Sequence, residues 1–125
     1  MTGYIKNIEK ETLENENFRK VLFTGPHSQL VLMSLLPKEE IGMEVHHDVD
    51  QFIRIEEGEG LAILNGEETP LLDDFAIVIP SGTNHNIINT SDSRKMKLYS
   101  IYSPSEHPDG TIDKTKDDAQ KREEH

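Results

Sequence analysis

The sequence predicts an all-β fold in a single domain. Three observations carry that prediction. The chain has 125 residues, a length suited to one domain. From Phe18 onward it breaks into about eight short runs rich in β-branched and aromatic residues. Turn signals built from Gly, Pro, Asn and Asp separate those runs roughly every ten residues, the spacing of a sandwich or barrel.

Taken in order, Lys6–Asn17 is charged, with Ile8 and Leu13 as its only apolar members, and reads as a short helix or an irregular arm. Phe18–Thr24 is a strand stopped by Gly25-Pro26. Gln29–Leu36 is a nearly continuous apolar run ended by Pro37, and Gly42–His46 is short and extended. Gln51–Glu57 alternates, with Gln51, Ile53 and Ile55 on one side and Phe52, Arg54 and Glu56 on the other, until Gly58 and Gly60 break it. Leu61–Leu64 leads into Asn65-Gly66, a strong hairpin signal for a type I′ turn. Leu71-Leu72, Phe75–Ile79, Asn84–Asn89 and Met96–Tyr102 complete the strands. Three regions follow: an arm at 1–17, a barrel at 18–102 and a polar tail at 103–125.

Composition narrows the function. Asp and Glu number 24 against 13 Lys and Arg, a formal charge of −11. That balance argues against a nucleic-acid or anionic-membrane partner, both of which select clustered positive charge. There is no cysteine, so disulfides, thiol nucleophiles and cysteine-held metals are excluded. Apolar stretches such as Phe75–Pro80 are too short to cross a bilayer as a helix, and Met1–Lys6 lacks the apolar core of a secretion signal. A soluble, cytoplasmic protein is the expectation. Beyond residue 102 only Ile112 and Ala119 are apolar, so the core belongs to the first 102 residues and the tail wraps it or stays loose.

Without cysteine, metal ligands must come from His, Asp, Glu or Gln. In Glu44-Val45-His46 the two outer side chains share a face if the segment is extended. Gln51 is a polar amide at the end of the inward Ile53–Ile55 stripe and needs a partner there. His85 follows the Pro80-Ser81-Gly82 turn and shares a face with Ile87 and Asn89. A one-residue register slip would instead aim His47 and Val45 inward. His27 reads as a turn residue, His107 as a loop residue that could fold over the barrel mouth, and His125 as a terminal residue. Lys114–His125 reads as a solvated helix or disorder. No phosphate-binding glycine loop and no Gly-x-Ser-x-Gly elbow is present.

These residues carry a resemblance to the cupins. Pro80-Ser81-Gly82, His85 and Asn89 match the spacing of the second cupin motif, and Gly42–Gly60 resembles the first. The resemblance spans roughly residues 29–102 and implies a double-stranded β-helix, the jelly-roll barrel. The family's four ligand positions fall on Glu44, His46, Gln51 and His85. Glu44 stands where a His is usual and Gln51 where a Glu is usual, so the carboxylate has moved and the ligand charge stays at −1. This mix of Gln, Glu and two His is similar to that of the zinc-dependent phosphomannose isomerases, which are also cupins.

The resemblance implies one divalent ion (Fe, Mn, Ni or Zn), a small-molecule ligand and a homodimer. It also implies isomerase, dioxygenase or decarboxylase chemistry, with Glu44 available as a catalytic base. Metal-free sugar epimerases of this fold use a His–Asp pair with a Tyr, and Tyr99 and Tyr102 are present here. Two further readings stay open. One is a metal-free pocket, with Gln51 bonded to His85 and Glu44 paired with Arg54 or a lysine. The other is a binding or sensing module without catalysis.

Overall fold

The computed structural model describes residues 2–123. Met1 and the reading of His125 as a terminal residue lie outside them. Helix α1 (Ile8–Glu14) opens the chain, its first turn capped by Asn7, whose Oδ1 accepts from Lys10 N at 3.0 Å. Eight strands follow: β1 (Arg19–Thr24), β2 (Gln29–Leu35), β3 (Asp50–Glu57), β4 (Gly60–Leu64), β5 (Glu67–Leu71), β6 (Ala76–Ile79), β7 (His85–Asn89) and β8 (Met96–Ser103). The tail adds β9 (Ile112–Asp113) and helix α2 (Lys116–Glu123).

The strands form an antiparallel six-stranded sheet, β6-β3-β8-β2-β1-β9, and a three-stranded sheet, β5-β4-β7. Period-2 alternation builds the core between them. Ile53 and Ile55 of β3, Met33 and Leu35 of β2 and Leu98 of β8 are at most 1% exposed. Ala62, Leu71 and Ile87 meet them from the smaller sheet in the same apolar cluster. The Asn65-Gly66 turn has φ of 49° and 84°, the doubly positive pair of a type I′ hairpin. Pro70 sits in β5, an edge strand, where its missing N–H costs no ladder bond.

Two expectations change. Gly42–His46 is not a regular strand. It lies against β7 through two isolated bridges, Glu40 with Ile88 and Glu44 with His85, which differ by one residue in register. Gly42 absorbs that extra residue at φ 107°, and its N–H donates to Asn86 Oδ1 at 2.8 Å. The strand around Leu71 begins earlier, at Glu67, because the hairpin pairs it with β4 even though only Leu71 is buried. Of the two courses open to the tail, it wraps the barrel: β9 pairs with β1, and Ala119 of α2 is 3% exposed. The arm is likewise tied down, since buried Lys97 of β8 reaches Asn15 O and the Glu16 carboxylate.

Gly60 is the most closely packed of the glycines. A Cβ there would lie 2.3 Å from Ile88 O and 2.3 Å from Met96 Cε. The methionine end can swing away, but the Ile88 carbonyl belongs to the strand paired with β4. Gly60→Ala should therefore cost about 3 kcal/mol, a fall in Tm of roughly 10 °C. A thermal melt unchanged within a degree would refute that packing. Asn89, the last residue of the second motif, is a structural clip. It is 0% exposed, its Nδ2 donates to Leu35 O, Leu36 O and Arg94 O, and its Oδ1 accepts from Ser91 N.

Candidate metal centre

The β7 bridge assembles the site. Glu44 N donates to His85 O and His85 N to Glu44 O, both at 2.8 Å. This directly opposed pair puts the two side chains on one face. His46, two residues beyond Glu44, joins them, and its carbonyl accepts from Gly82 N at 2.8 Å. Met43, Val45 and His47 are all exposed. The register with His47 inward is therefore not the one adopted.

One carboxylate oxygen of Glu44 and one ring nitrogen each from His46 and His85 lie within 4.8 Å of one another. His46 Nε2 stands 4.0 Å from Glu44 Oε1, and the two imidazole centroids are 5.1 Å apart. The opposite ring nitrogens are occupied. His85 Nδ1 meets Thr83 O at 2.9 Å, and His46 Nδ1 meets Glu106 Oε1 at 3.1 Å. Both partners are acceptors, so Nδ1 carries the proton and Nε2 presents the lone pair. Both Nε2 atoms are buried without a hydrogen-bond partner among the described residues. Burial pushes the Glu44 carboxyl up, and the nearby His46 and Arg19 pull it back. Two orphaned imidazole lone pairs beside a desolvated carboxylate form a donor set that a divalent cation would satisfy.

Gln51 points inward, 4% exposed, as its place on the Ile53–Ile55 face requires. Its amide nitrogen donates to Ser100 Oγ at 3.2 Å, and its Oε1 is a further buried acceptor with no partner. It does not bond His85. Arg54 pairs with Glu56 and Asp74 rather than with Glu44. The contacts expected of a metal-free pocket are thus not the ones made.

The two tyrosines part ways. Tyr99 packs on Phe52, while Tyr102 is buried with its ring edge-on to His46 and His107. Burial pushes the Tyr102 hydroxyl up.

Two residues of the site, Glu106 and Arg19, escaped the sequence reading, and His107 takes the place over the barrel mouth that was open to it. The loop after β8 folds over the barrel mouth. Gln29, 1% exposed, clamps it: Oε1 accepts from Glu106 N and His107 N at 3.1 and 3.0 Å, and Nε2 donates to His107 O at 2.7 Å. A buried glutamine heading an apolar strand was the available signal. Burial, with Arg19 and His46 nearby, drives His107 down to about 3. A cavity of about 490 Å3 opens beside Glu44 and His46, walled by Glu106, His107 and Arg19, and by Arg122 and Glu123 of α2.

A model of the cupin domain matches residues 31–102. The chain is 50% identical over 113 residues to protein L612 of Acanthamoeba polyphaga mimivirus, covering 88% of this chain and 71% of that one. It is 48% identical over 122 residues to protein YrkC of Bacillus subtilis, covering 93% of this chain and 65% of the relative. The crystal structure of BH2720 from Bacillus halodurans superposes with a TM-score of 0.92 at 46% identity, covering 94% and 93% of the two chains.

Proposed function

The chain belongs to the cupin domain family, and on that premise we propose that it is a small-metabolite enzyme built around one divalent metal ion. Glu44, His46 and His85 would hold the ion, with Gln51 Oε1 as a further donor. The single observation behind this reading is the pair of buried, unpartnered Nε2 atoms facing the Glu44 carboxylate, each fixed by a hydrogen bond through its ring's other nitrogen. A divalent ion bound there would polarise a carbonyl or carboxylate oxygen of a small molecule in the adjoining cavity, or handle O₂ if it were iron or manganese.

The protein's own part is positional. Thr83 and Glu106 fix the imidazole orientations, and Tyr102 with His107 presents aromatic edges that limit water around them. Glu44 is the one carboxylate in the close group. It can take a substrate proton when not committed to the metal. Isomerase, dioxygenase and decarboxylase chemistry are all compatible with this frame, since fold alone does not choose among them.

Elemental analysis of untagged protein, purified without chelator or nickel resin, tests the reading. About one Fe, Mn, Ni or Zn per chain is expected. Failure to take up any of the four after incubation with each would overturn it.

A further inference from the structure

Arg19 is the charged group of this cavity with the least to do. It is 3% exposed, at the start of β1, and its guanidinium lies 5.4 Å over the Phe18 ring. A buried guanidinium is costly unless its donors are paired. Among the described residues Arg19 makes no side-chain hydrogen bond, and its Nε is buried with no partner. Its acidic neighbours stand off: Asp113 Oδ2 at 3.8 Å and Glu123 Oε1 at 3.6 Å, both from Nη1. Asp113 gives its other oxygen to Arg122 Nε at 2.9 Å, while its Oδ2 is itself unbonded. A purely structural ion pair would close that gap. Arg19 instead lines the cavity that Glu44 and His46 also line, with no side-chain hydrogen bond committing its guanidinium among the described residues.

We propose that Arg19 is the anion-recognition residue of this pocket and that the ligand is a small carboxylate, held by the guanidinium while its remaining oxygens face the Glu44–His46–His85 group. A carboxylate matches a guanidinium through two parallel N–H···O bonds, and a desolvated site strengthens both. The Phe18 ring, 5.4 Å from the guanidinium carbon, adds a cation–π contact that holds the charge at the cavity. Phosphate fits less well, because it gathers its charge on one tetrahedral group amid Glu44, Glu106 and Glu123, whereas a carboxylate is planar and matches the guanidinium edge. The inference rests on the reading above only in taking this cavity as the ligand site.

Calorimetric titration with malonate, malonamide and inorganic phosphate tests it, on chelator-treated and on Zn(II)-incubated protein, with metal content measured in each sample. Malonate should bind wild type at least tenfold tighter than neutral malonamide and tighter than phosphate. Arg19→Met should lose about tenfold of the malonate affinity at unchanged metal content, with Arg19→Lys in between. Equal affinity in wild type and Arg19→Met would overturn the proposal, as would malonate binding no better than malonamide or phosphate. If no sample holds metal but malonate still binds through Arg19, the metal reading falls and this one stands. Should Arg19→Met not fold, the Arg19 Nε–H resonance of wild type decides. It should shift on adding malonate and not malonamide, and a resonance that does not move would overturn the assignment.

Discussion

The His85→Ala protein is expected to keep its fold and lose its divalent metal, with affinity down by more than about a hundredfold. His85 is one of three close donors, and its removal leaves only Glu44 and His46 of that group. The loss should exceed the 10- to 100-fold typical of removing a group that merely orients a ligand. Glu106→Ala supplies that comparison in the same protein. Glu106 touches His46 Nδ1 at 3.1 Å and stands outside the close donor group, so its loss frees the ring without deleting a donor. The two variants should therefore rank, with Glu106→Ala weaker than wild type by about tenfold or more and His85→Ala far below it. Competition with a chromophoric chelator reads both affinities, and far-UV circular dichroism checks the fold. Stoichiometric metal at wild-type affinity in His85→Ala would remove His85 from the site.

The sheet and the close donor group were legible because both rest on period 2. Ile53 and Ile55 had to face inward, which carried Gln51 with them, and Glu44 and His46 had to share a side in an extended segment. The β-bulge at Gly42 did not disturb this, since it falls before Glu44. The mouth of the barrel was legible only in the option that His107 folds over it, for the opposite reason. Glu106 and His107 are placed by Gln29, more than 75 positions away in the chain, and no local pattern encodes a clamp of that span. β9 is two residues long, too short to show any alternation. Arg19 read as an ordinary strand residue, and it becomes a cavity wall only because β9 and α2 fold back over it.

Acid should destabilise the chelated protein through His107, and the sign follows from its burial. The folded imidazole is held down at about 3, by desolvation first and then by Arg19 and His46, against 6.5 for the unfolded side chain. Between those two values the unfolded chain binds a proton that the folded chain does not. Stability is therefore fully present above pH 6.5 and is lost as pH falls from there towards 3. One proton corresponds to about 1.4 kcal/mol per pH unit, so the loss between pH 6.5 and 4 is at most about 3 kcal/mol from this residue. Carboxylates add their own slopes, so the measurement must be a difference. His107→Phe keeps an aromatic ring against Tyr102, where the imidazole now packs edge-on with centroids 5.1 Å apart, and it cannot titrate. Denaturant unfolding of both proteins from pH 7 to 4 should show the wild-type curve falling more steeply, by close to one proton's slope. Parallel curves would mean that His107 is charged in the folded protein, and the loop would then have to lie open to water rather than across the barrel mouth.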